Sequence, residues 1–202
     1  MAPTIDDMLI GVLGAGSIGC YVGGCLQQSG CAVRYFGREH VASEIRSGGL
    51  RLTSHDGRTA DLPAEAVDFR TDLSGLEECD VLLVCVKSPA TEETADALAG
   101  VIRPDAVVIS LQNGVANADC LKSRLPDNTV LAGMVAFNVA RQQGAHFQGH
   151  LALSQGAIIT GLVWGAIVAS VIDGKFKNAG GFALAAALMS LVGIIHSASL
   201  HW

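Results

Sequence analysis

The chain has 202 residues, of which 50% are hydrophobic, 16% charged and 5% aromatic, and its formal net charge is −6. This length suits one ordinary domain with an appendage rather than two full domains, and the apolar content excludes a disordered chain. Every acidic residue except Asp173 precedes residue 142. Such an acidic body argues against a nucleic-acid partner, because it cannot neutralise phosphates.

The first predicted elements alternate between strand and helix. Met8–Leu13 is a short apolar run that predicts a buried strand, and Ser17–Gln28 has the small and apolar residues of a helix at helical spacing. Ala32–Phe36 predicts the second strand and His40–Arg46 a short helix. Residues 50–69 stay open between strands and loops, because glycine and proline interrupt them.

The chain continues this alternation up to about residue 155. The pattern predicts an α/β fold: a Rossmann-like, mostly parallel sheet with flanking helices and crossover connections. The further predicted strands are Asp80–Val86, Ala106–Leu111, Val130–Val139 and His146–Leu153, and the further helices are Ala90–Leu98 and Ala116–Leu125.

A glycine-rich turn joins the first strand to the first helix. It reads Gly14-Ala15-Gly16-Ser17-Ile18-Gly19, a G-x-G-x-x-G pattern. Gly14 permits the tight turn, Gly16 lets the backbone approach a pyrophosphate, and Gly19 lets the helix pack closely on the strand. The N–H groups at the helix N-terminus face the phosphates. The pattern predicts dinucleotide binding, and the alternative is a turn with a packing role only.

The end of the second strand bears on the choice of nucleotide. An NAD site usually places Asp or Glu there, to accept a hydrogen bond from the ribose 2′-OH. This chain has Arg38, with no acid before Glu39. Because a guanidinium matches phosphate geometry, Arg38 favours the 2′-phosphate of NADP(H). The alternative is a solvated surface arginine.

Two polar residues follow predicted strands at their carboxyl ends, where ligands of open α/β sheets bind. Lys87 is a candidate for a phosphate or a substrate carboxylate, and Asn113 for the nicotinamide or the substrate. An exposed lysine and an Asn-Gly turn are the alternatives, and the pattern does not decide between them.

Cysteines, histidines and the N-terminus indicate no further site. The six cysteines form no C-x-x-C pair and predict buried reduced thiols. No metal site is predicted, because His146 and His150 lie four apart in a strand-like segment rather than on a helix. Asp6 and Asp7 oppose a signal peptide, so residues 1–155 are expected in the cytoplasm.

Several stretches match one known family in the same order. They are IGVLGAGSIGCYVGGCL from residue 10, FGR from residue 36, VCVKS from residue 84, ISLQNGVAN from residue 109 and LAGMVAFNVARQQGAHFQGHLAL from residue 131. With them, residues 8–155 resemble the NADP-binding domain of the ketopantoate reductase (2-dehydropantoate 2-reductase) family. The resemblance implies NADPH-dependent reduction of 2-dehydropantoate to (R)-pantoate, on the pantothenate and coenzyme A route.

The resemblance also implies roles for individual residues. Gly14–Gly19 would hold the pyrophosphate, Arg38 the 2′-phosphate, and Lys87 would belong to the cofactor pocket. Asn113 would contact both cofactor and substrate, as a cofactor-binding, substrate-binding and catalytic residue. Asn138 would line the nicotinamide side.

The resemblance weakens after residue 155. Reductases of this family continue into a helical domain that supplies a lysine as general acid, followed four residues later by an asparagine. In this chain Lys175 lies at a similar chain position, but Asn178 follows it by three residues and Trp164 precedes it by eleven, where the family has a tryptophan just before the lysine. No acidic residue follows Asp173, so the glutamate of the family has no counterpart here.

Residues 156–202 are predicted to form a separate hydrophobic tail. Two uncharged runs of 22 residues, Leu151–Ile172 and Ala179–Leu200, flank residues 173–178. A bilayer core needs about 20 mostly apolar residues per helix, so we predict a helical hairpin of two transmembrane helices. The alternative is a buried or partner-binding helical pair. The tail weakly resembles the C-terminal helices of xanthine/uracil-type permeases.

Two functions remain open from the sequence. The first is an NADPH-dependent reductase of a small keto acid, for which the sequence leaves the assembly open, a homo-oligomer included. The second is a non-catalytic NADP(H)-binding module whose tail associates with a membrane. Turnover of substrate distinguishes the two, whereas cofactor binding alone does not.

Overall fold

The computed structural model describes residues 8–54, 57–113, 115–133, 135 and 137–150. The strands in that part of the chain are β1 (Leu9–Leu13), β2 (Ala32–Phe36), β3 (Leu50–Ser54), β4 (Thr59–Leu62), β5 (Asp68–Arg70), β6 (Val81–Val84), β7 (Val107–Ser110), β8 (Thr129–Ala132), β9 (Asn138–Arg141) and β10 (His146–His150). The α-helices are α1 (Ser17–Gln28), α2 (Glu39–Gly48), α3 (Thr91–Leu98) and α4 (Val115–Arg124). Short 3₁₀ turns lie at Ala64–Ala66, Leu76–Glu78 and Ser88–Ala90.

Six strands form a parallel sheet in the order β5-β2-β1-β6-β7-β8. Parallel strands covered on both faces need continuous apolar runs, and β6 and β7 are buried at every position. The order of the strands reverses between β1 and β6, as in doubly wound dinucleotide-binding sheets. The predicted Rossmann-like α/β fold is therefore confirmed for the described residues.

Two hydrophobic cores lie on opposite faces of this sheet. Leu82 and Leu83, neighbours in β6, belong to different cores, because successive side chains of a strand point to opposite faces. Helix α1 adds Leu26 to the first core, whereas α3 and α4 add Leu98 and Leu121 to the second. Each of these three leucines is fully buried, which contributes roughly 1.5–3 kcal/mol apiece.

A second sheet covers the outer side of α1. Its order is β4-β3-β10-β9, with β3 and β10 parallel and the outer pairs antiparallel. Glycines permit the close approach: a side chain at Gly24 would meet Leu52 Cδ1 at 2.5 Å, and one at Gly149 would overlap the ring of Tyr21. Helix α1 therefore lies between two sheets, which the sequence did not predict.

Several predicted boundaries need correction. The single strand predicted over Val130–Val139 is wrong: β8 belongs to the parallel sheet and β9 to the second sheet, with a connection from residue 133 between them. Residues 50–69, left open before, contain β3, β4 and most of β5. The predicted helix over Ala90–Leu98 begins one residue later, behind a 3₁₀ turn.

The hydrophobic tail lies outside the described residues. This applies to the predicted hairpin of residues 156–202, to its transmembrane interpretation and to Leu151–Leu153 of the last predicted strand. Within the described part of the chain, no helix combines the length and hydropathy that crossing a bilayer requires.

Candidate functional site

The carboxyl ends of the parallel strands bring most of the predicted site residues to one edge of the sheet. Gly14 follows β1, Arg38 lies two residues after β2, Lys87 three residues after β6 and Asn113 three residues after β7. The edge includes the point between β1 and β6 where the strand order reverses. Ligands of open α/β sheets bind in the crevice at such a point.

The turn after β1 requires glycine at Gly14. Its φ is +90°, a left-handed conformation that side chains disfavour. A Cβ there would lie 2.6 Å from Val86 N and 2.8 Å from Cys85 C, so the turn is pressed against the segment that follows β6. The Gly14 and Ala15 N–H groups donate to Phe36 O at 3.0 and 2.9 Å, which ties the turn to the end of β2.

The other two motif glycines face different surroundings. A Cβ at Gly16 would meet no atom of the described residues within 4 Å, whereas one at Gly19 would lie 2.5 Å from Gly14 O. Gly19 therefore allows α1 to pack on the turn. Gly16 leaves its backbone open to a ligand, as a pyrophosphate-binding turn needs.

The N-terminus of α1 is available to an anion. Its N-cap residue Gly16 makes no side-chain cap, and the first helical bond runs from Cys20 N to Gly16 O at 2.8 Å. The N–H groups of Ser17 and Ile18 therefore have no acceptor inside the helix. Free N–H groups and the helix dipole together favour a phosphate at this position.

Arg38 is exposed at the N-cap of α2. Among the described residues no carboxylate pairs with it, whereas Arg34 in β2 pairs with Asp68 at 2.7 Å and Glu78 at 2.8 Å. The neighbouring acid Glu39 pairs with Arg46 on its own helix. The site thus presents a guanidinium rather than an available carboxylate at the end of β2.

Lys87 and Asn113 are both exposed at the same edge. Lys87 precedes the 3₁₀ turn of residues 88–90, and its carbonyl accepts from Ala90 N at 2.8 Å. The carbonyl of Asn113 accepts from Asn117 Nδ2 at 2.7 Å. Both backbones are held, and within the described residues neither exposed side chain makes a hydrogen bond or an ion pair.

The described strand ends of the parallel sheet do not include the other two predicted residues, Asn138 and Lys175. Asn138 is exposed at the first position of β9 and belongs to the second sheet. Its neighbour Phe137 contacts Tyr21 of α1, with ring centroids 5.8 Å apart. Lys175 lies outside the described residues.

A buried polar network behind the edge was missed by the sequence analysis. Its side chains are those of Ser110, Gln112, Thr91 and Asn117, each at most 9% exposed, together with Ser88 on the surface. Buried amides and hydroxyls in apolar surroundings are costly unless they pair. The available signal was the polar run directly after the apolar strand β7, with Asn117 four residues beyond Asn113.

The cysteines near the turn are inert thiols. Burial raises the pKa values of Cys20, Cys25 and Cys85 to about 12. Cys20 Sγ donates to Ala15 O at 3.4 Å. Because the thiolate is the reactive form, none of the three acts as a nucleophile at neutral pH. Within the described ranges, no group of histidine, cysteine and acidic side chains is arranged to hold a metal ion.

Comparisons with known proteins identify the family of this chain. The family model described as ketopantoate reductase PanE/ApbA matches residues 10–163. The 2-dehydropantoate 2-reductase of Halobacterium salinarum is 39% identical over 138 residues, covering 67% of this chain and 44% of that protein. The enzyme of the same name from Nostoc is 27% identical and covers 75% and 46%. The chain thus spans less than half the length of these relatives.

A solved structure shows the same fold. The PanE/ApbA family ketopantoate reductase of Ralstonia eutropha superposes with a TM-score of 0.66 at 26% identity. The match covers 95% of this chain and 75% of that one.

Proposed function

The chain belongs to the ketopantoate reductase PanE/ApbA family, and we propose that it binds NADPH for the reduction of 2-dehydropantoate to pantoate. The observation that carries the proposal is the turn from Gly14 to Gly19, where Gly16 leaves the backbone open beside an uncapped helix N-terminus. The relatives named 2-dehydropantoate 2-reductase support the substrate.

NADPH fits the residues of the edge better than NADH. Arg38 presents an exposed guanidinium without a carboxylate partner among the described residues, and guanidinium groups bind phosphate with two hydrogen bonds. Glu39, the first acidic residue after β2, is paired with Arg46. The end of β2 therefore favours a 2′-phosphate over a free hydroxyl.

The remaining edge residues serve the nicotinamide end and the substrate. Lys87 supplies a positive charge for a phosphate or for the carboxylate of the keto acid. The amide of Asn113 has the donor and acceptor that hold a carboxamide or a ketone oxygen. When bound, NADPH supplies a hydride for the carbonyl carbon, and these side chains orient the two partners.

Reduction of a ketone also needs a proton donor for its oxygen. Lys175 is our candidate for this donor. Catalysis by Lys175 requires the tail to fold over the edge of the sheet. A transmembrane hairpin would instead carry Lys175 between its two helices to the far side of the membrane. The two uncharged runs support such a hairpin, but the family match extends to residue 163, into the first run. Membrane attachment and catalysis by Lys175 are therefore competing proposals.

The test is NADPH binding and NADPH oxidation by the purified full chain, with and without 2-dehydropantoate. We expect NADPH to bind, and turnover to depend on the keto acid. In Arg38→Ala we expect NADPH affinity to fall about tenfold or more while NADH affinity changes little, since only NADPH carries the 2′-phosphate. Lys122→Ala removes another exposed cation, in the last turn of α4, and is the matched control.

The outcomes separate the two functions. Turnover supports the reductase and a proton donor in the tail. Tight binding without turnover supports the alternative, a non-catalytic cofactor-binding module. Failure of the wild-type chain to bind NADPH contradicts the cofactor assignment.

A further inference from the structure

We propose that Asn117 is a positioning residue for the nicotinamide half of the site, oriented by Thr91 and Gln112. The inference rests on the proposed function, since it assumes that NADPH binds at this edge. It concerns the buried polar network behind Lys87 and Asn113.

The network joins the two loops that carry these residues. Asn117 Nδ2 donates to Asn113 O at 2.7 Å, in the loop after β7. The same nitrogen donates to Ser88 Oγ at 3.1 Å, in the turn directly after Lys87. One side chain on α4 therefore fixes both loops relative to each other.

The orientation of the Asn117 amide is set by the next members of the network. Gln112 Nε2 donates to Thr91 Oγ1 at 2.6 Å, so the Thr91 hydroxyl hydrogen is left for Asn117 Oδ1, 3.0 Å away. Gln112 Oε1 in turn accepts from Ser110 Oγ at 3.0 Å. The amide oxygen of Asn117 thus points toward Thr91, and its nitrogen faces the two loops.

Burial makes this arrangement rigid. Thr91 is 3% exposed, Gln112 5% and Asn117 9%. A buried polar group that loses its hydrogen-bond partner finds no water molecule to replace it. The network therefore favours a single arrangement of its side chains. Movement of either loop would break a bond in the network.

The adenosine half of the site is held by separate contacts. The glycine turn is fixed to β2 by the bonds of Gly14 and Ala15 to Phe36 O, and Arg38 lies at the start of α2. The five network bonds described above involve neither the glycine turn nor Arg38. Loss of Asn117 is therefore expected to disturb the nicotinamide half and leave the adenosine half intact.

The test compares two ligands on the full chain. NADPH contacts both halves, whereas 2′,5′-ADP lacks the nicotinamide and contacts the adenosine half alone. For Asn117→Ala we expect NADPH to bind about tenfold more weakly, the loss of roughly one buried hydrogen bond. The affinity for 2′,5′-ADP is expected to equal that of the wild-type chain.

Three further variants distinguish the positioning role from a general loss of stability. Thr91→Val keeps the shape but removes the hydroxyl, and we expect it to weaken NADPH binding several-fold, whereas Thr91→Ser restores it. Asn128→Ala is the matched control: Asn128 Nδ2 bonds to Arg103 O and Ala106 O near the start of β7, at the other end of the sheet. It is expected to lower the melting temperature without changing either affinity.

The results that would contradict the positioning role of Asn117 differ from those that would contradict NADPH binding. NADPH affinity unchanged in both Asn117→Ala and Thr91→Val, or an equal loss for both ligands, contradicts the positioning role. If Asn117→Ala does not fold, the Thr91 pair decides. Wild-type protein that binds 2′,5′-ADP but not NADPH, or neither ligand, contradicts the proposed function instead.

Discussion

At Gly16 a side chain would face open space, whereas at Gly19 it would meet backbone. Both glycines belong to the same motif, but the first leaves room for a ligand and the second for a helix. Substitution can separate these two roles, because a Cβ at Gly19 would contact other described residues and a Cβ at Gly16 would not.

Gly16→Ala is expected to weaken NADPH binding about tenfold or more while leaving the melting temperature unchanged, because the added methyl occupies the space of the pyrophosphate. Gly19→Ala is expected to lower the melting temperature, since its Cβ would lie 2.5 Å from Gly14 O. Fluorescence titration with NADPH and thermal unfolding measure the two effects.

The matched control is Gly48→Ala. Gly48 is the last residue of α2, and a Cβ there would meet no described atom within 4 Å. We expect the NADPH affinity to stay unchanged and the free energy of unfolding to rise by about 0.4–1 kcal/mol, because alanine restricts the unfolded chain more than glycine does. A destabilised Gly16→Ala with normal affinity would show that this glycine has a packing role only.

Among the elements, α1 depends on both sheets. The parallel sheet covers one side of the helix, and the second sheet, through Leu52 and Phe147, covers the other. Because the glycine turn leads directly into α1, the second sheet supports the phosphate site without contributing a residue to the motif.

Phe147→Ala is expected to lower the free energy of unfolding by about 3–5 kcal/mol, because the fully buried ring leaves a cavity between α1 and the second sheet. Urea unfolding measures the change. Gln148→Ala is the control, since Gln148 points to the opposite face of β10 and bonds to Gln142 at 2.9 Å; a change within about 0.5 kcal/mol is expected. Equal effects of the two substitutions would contradict the two-sided burial of α1.

For the whole molecule, the response to acid depends on ion pairs that fix the edge strand β5. Asp68 lies in β5, and although its partial burial raises its pKa, hydrogen bonds from Arg34 and Arg70 outweigh this and hold the pKa below the usual value. A carboxyl with a lowered folded-state pKa stabilises the fold above its unfolded-state pKa of about 4. That stability is lost as the pH falls through the folded-state value.

Asp68→Asn is therefore expected to be less stable than the wild-type chain at pH 7, with the difference shrinking as the pH falls below about 4. Urea unfolding at several pH values measures this. Asp61→Asn serves as the control, because Asp61 pairs with Arg51 at 3.5 Å on an exposed surface, where ion pairs contribute little. A difference between Asp68→Asn and wild type that does not change with pH would refute the assignment.

Local patterns in the sequence predicted the parallel sheet, the glycine turn and the positions of Arg38, Lys87 and Asn113 at strand ends. These features follow from hydrophobic periodicity and from backbone conformations that act over a few neighbouring residues. The turn at Gly14 is an example, since its φ of +90° is a conformation that glycine adopts readily and other residues disfavour.

The second sheet and the buried network became visible only in the folded chain. Leu52 pairs with Phe147, and Thr91 with Gln112 and Asn117, across long stretches of chain. Strand register and side-chain hydrogen bonds of this kind depend on which distant segments meet, and no local pattern encodes that. The same reason explains why one apolar segment, residues 130–139, divides between two sheets: its periodicity fits a strand throughout, but the partners differ at its two ends.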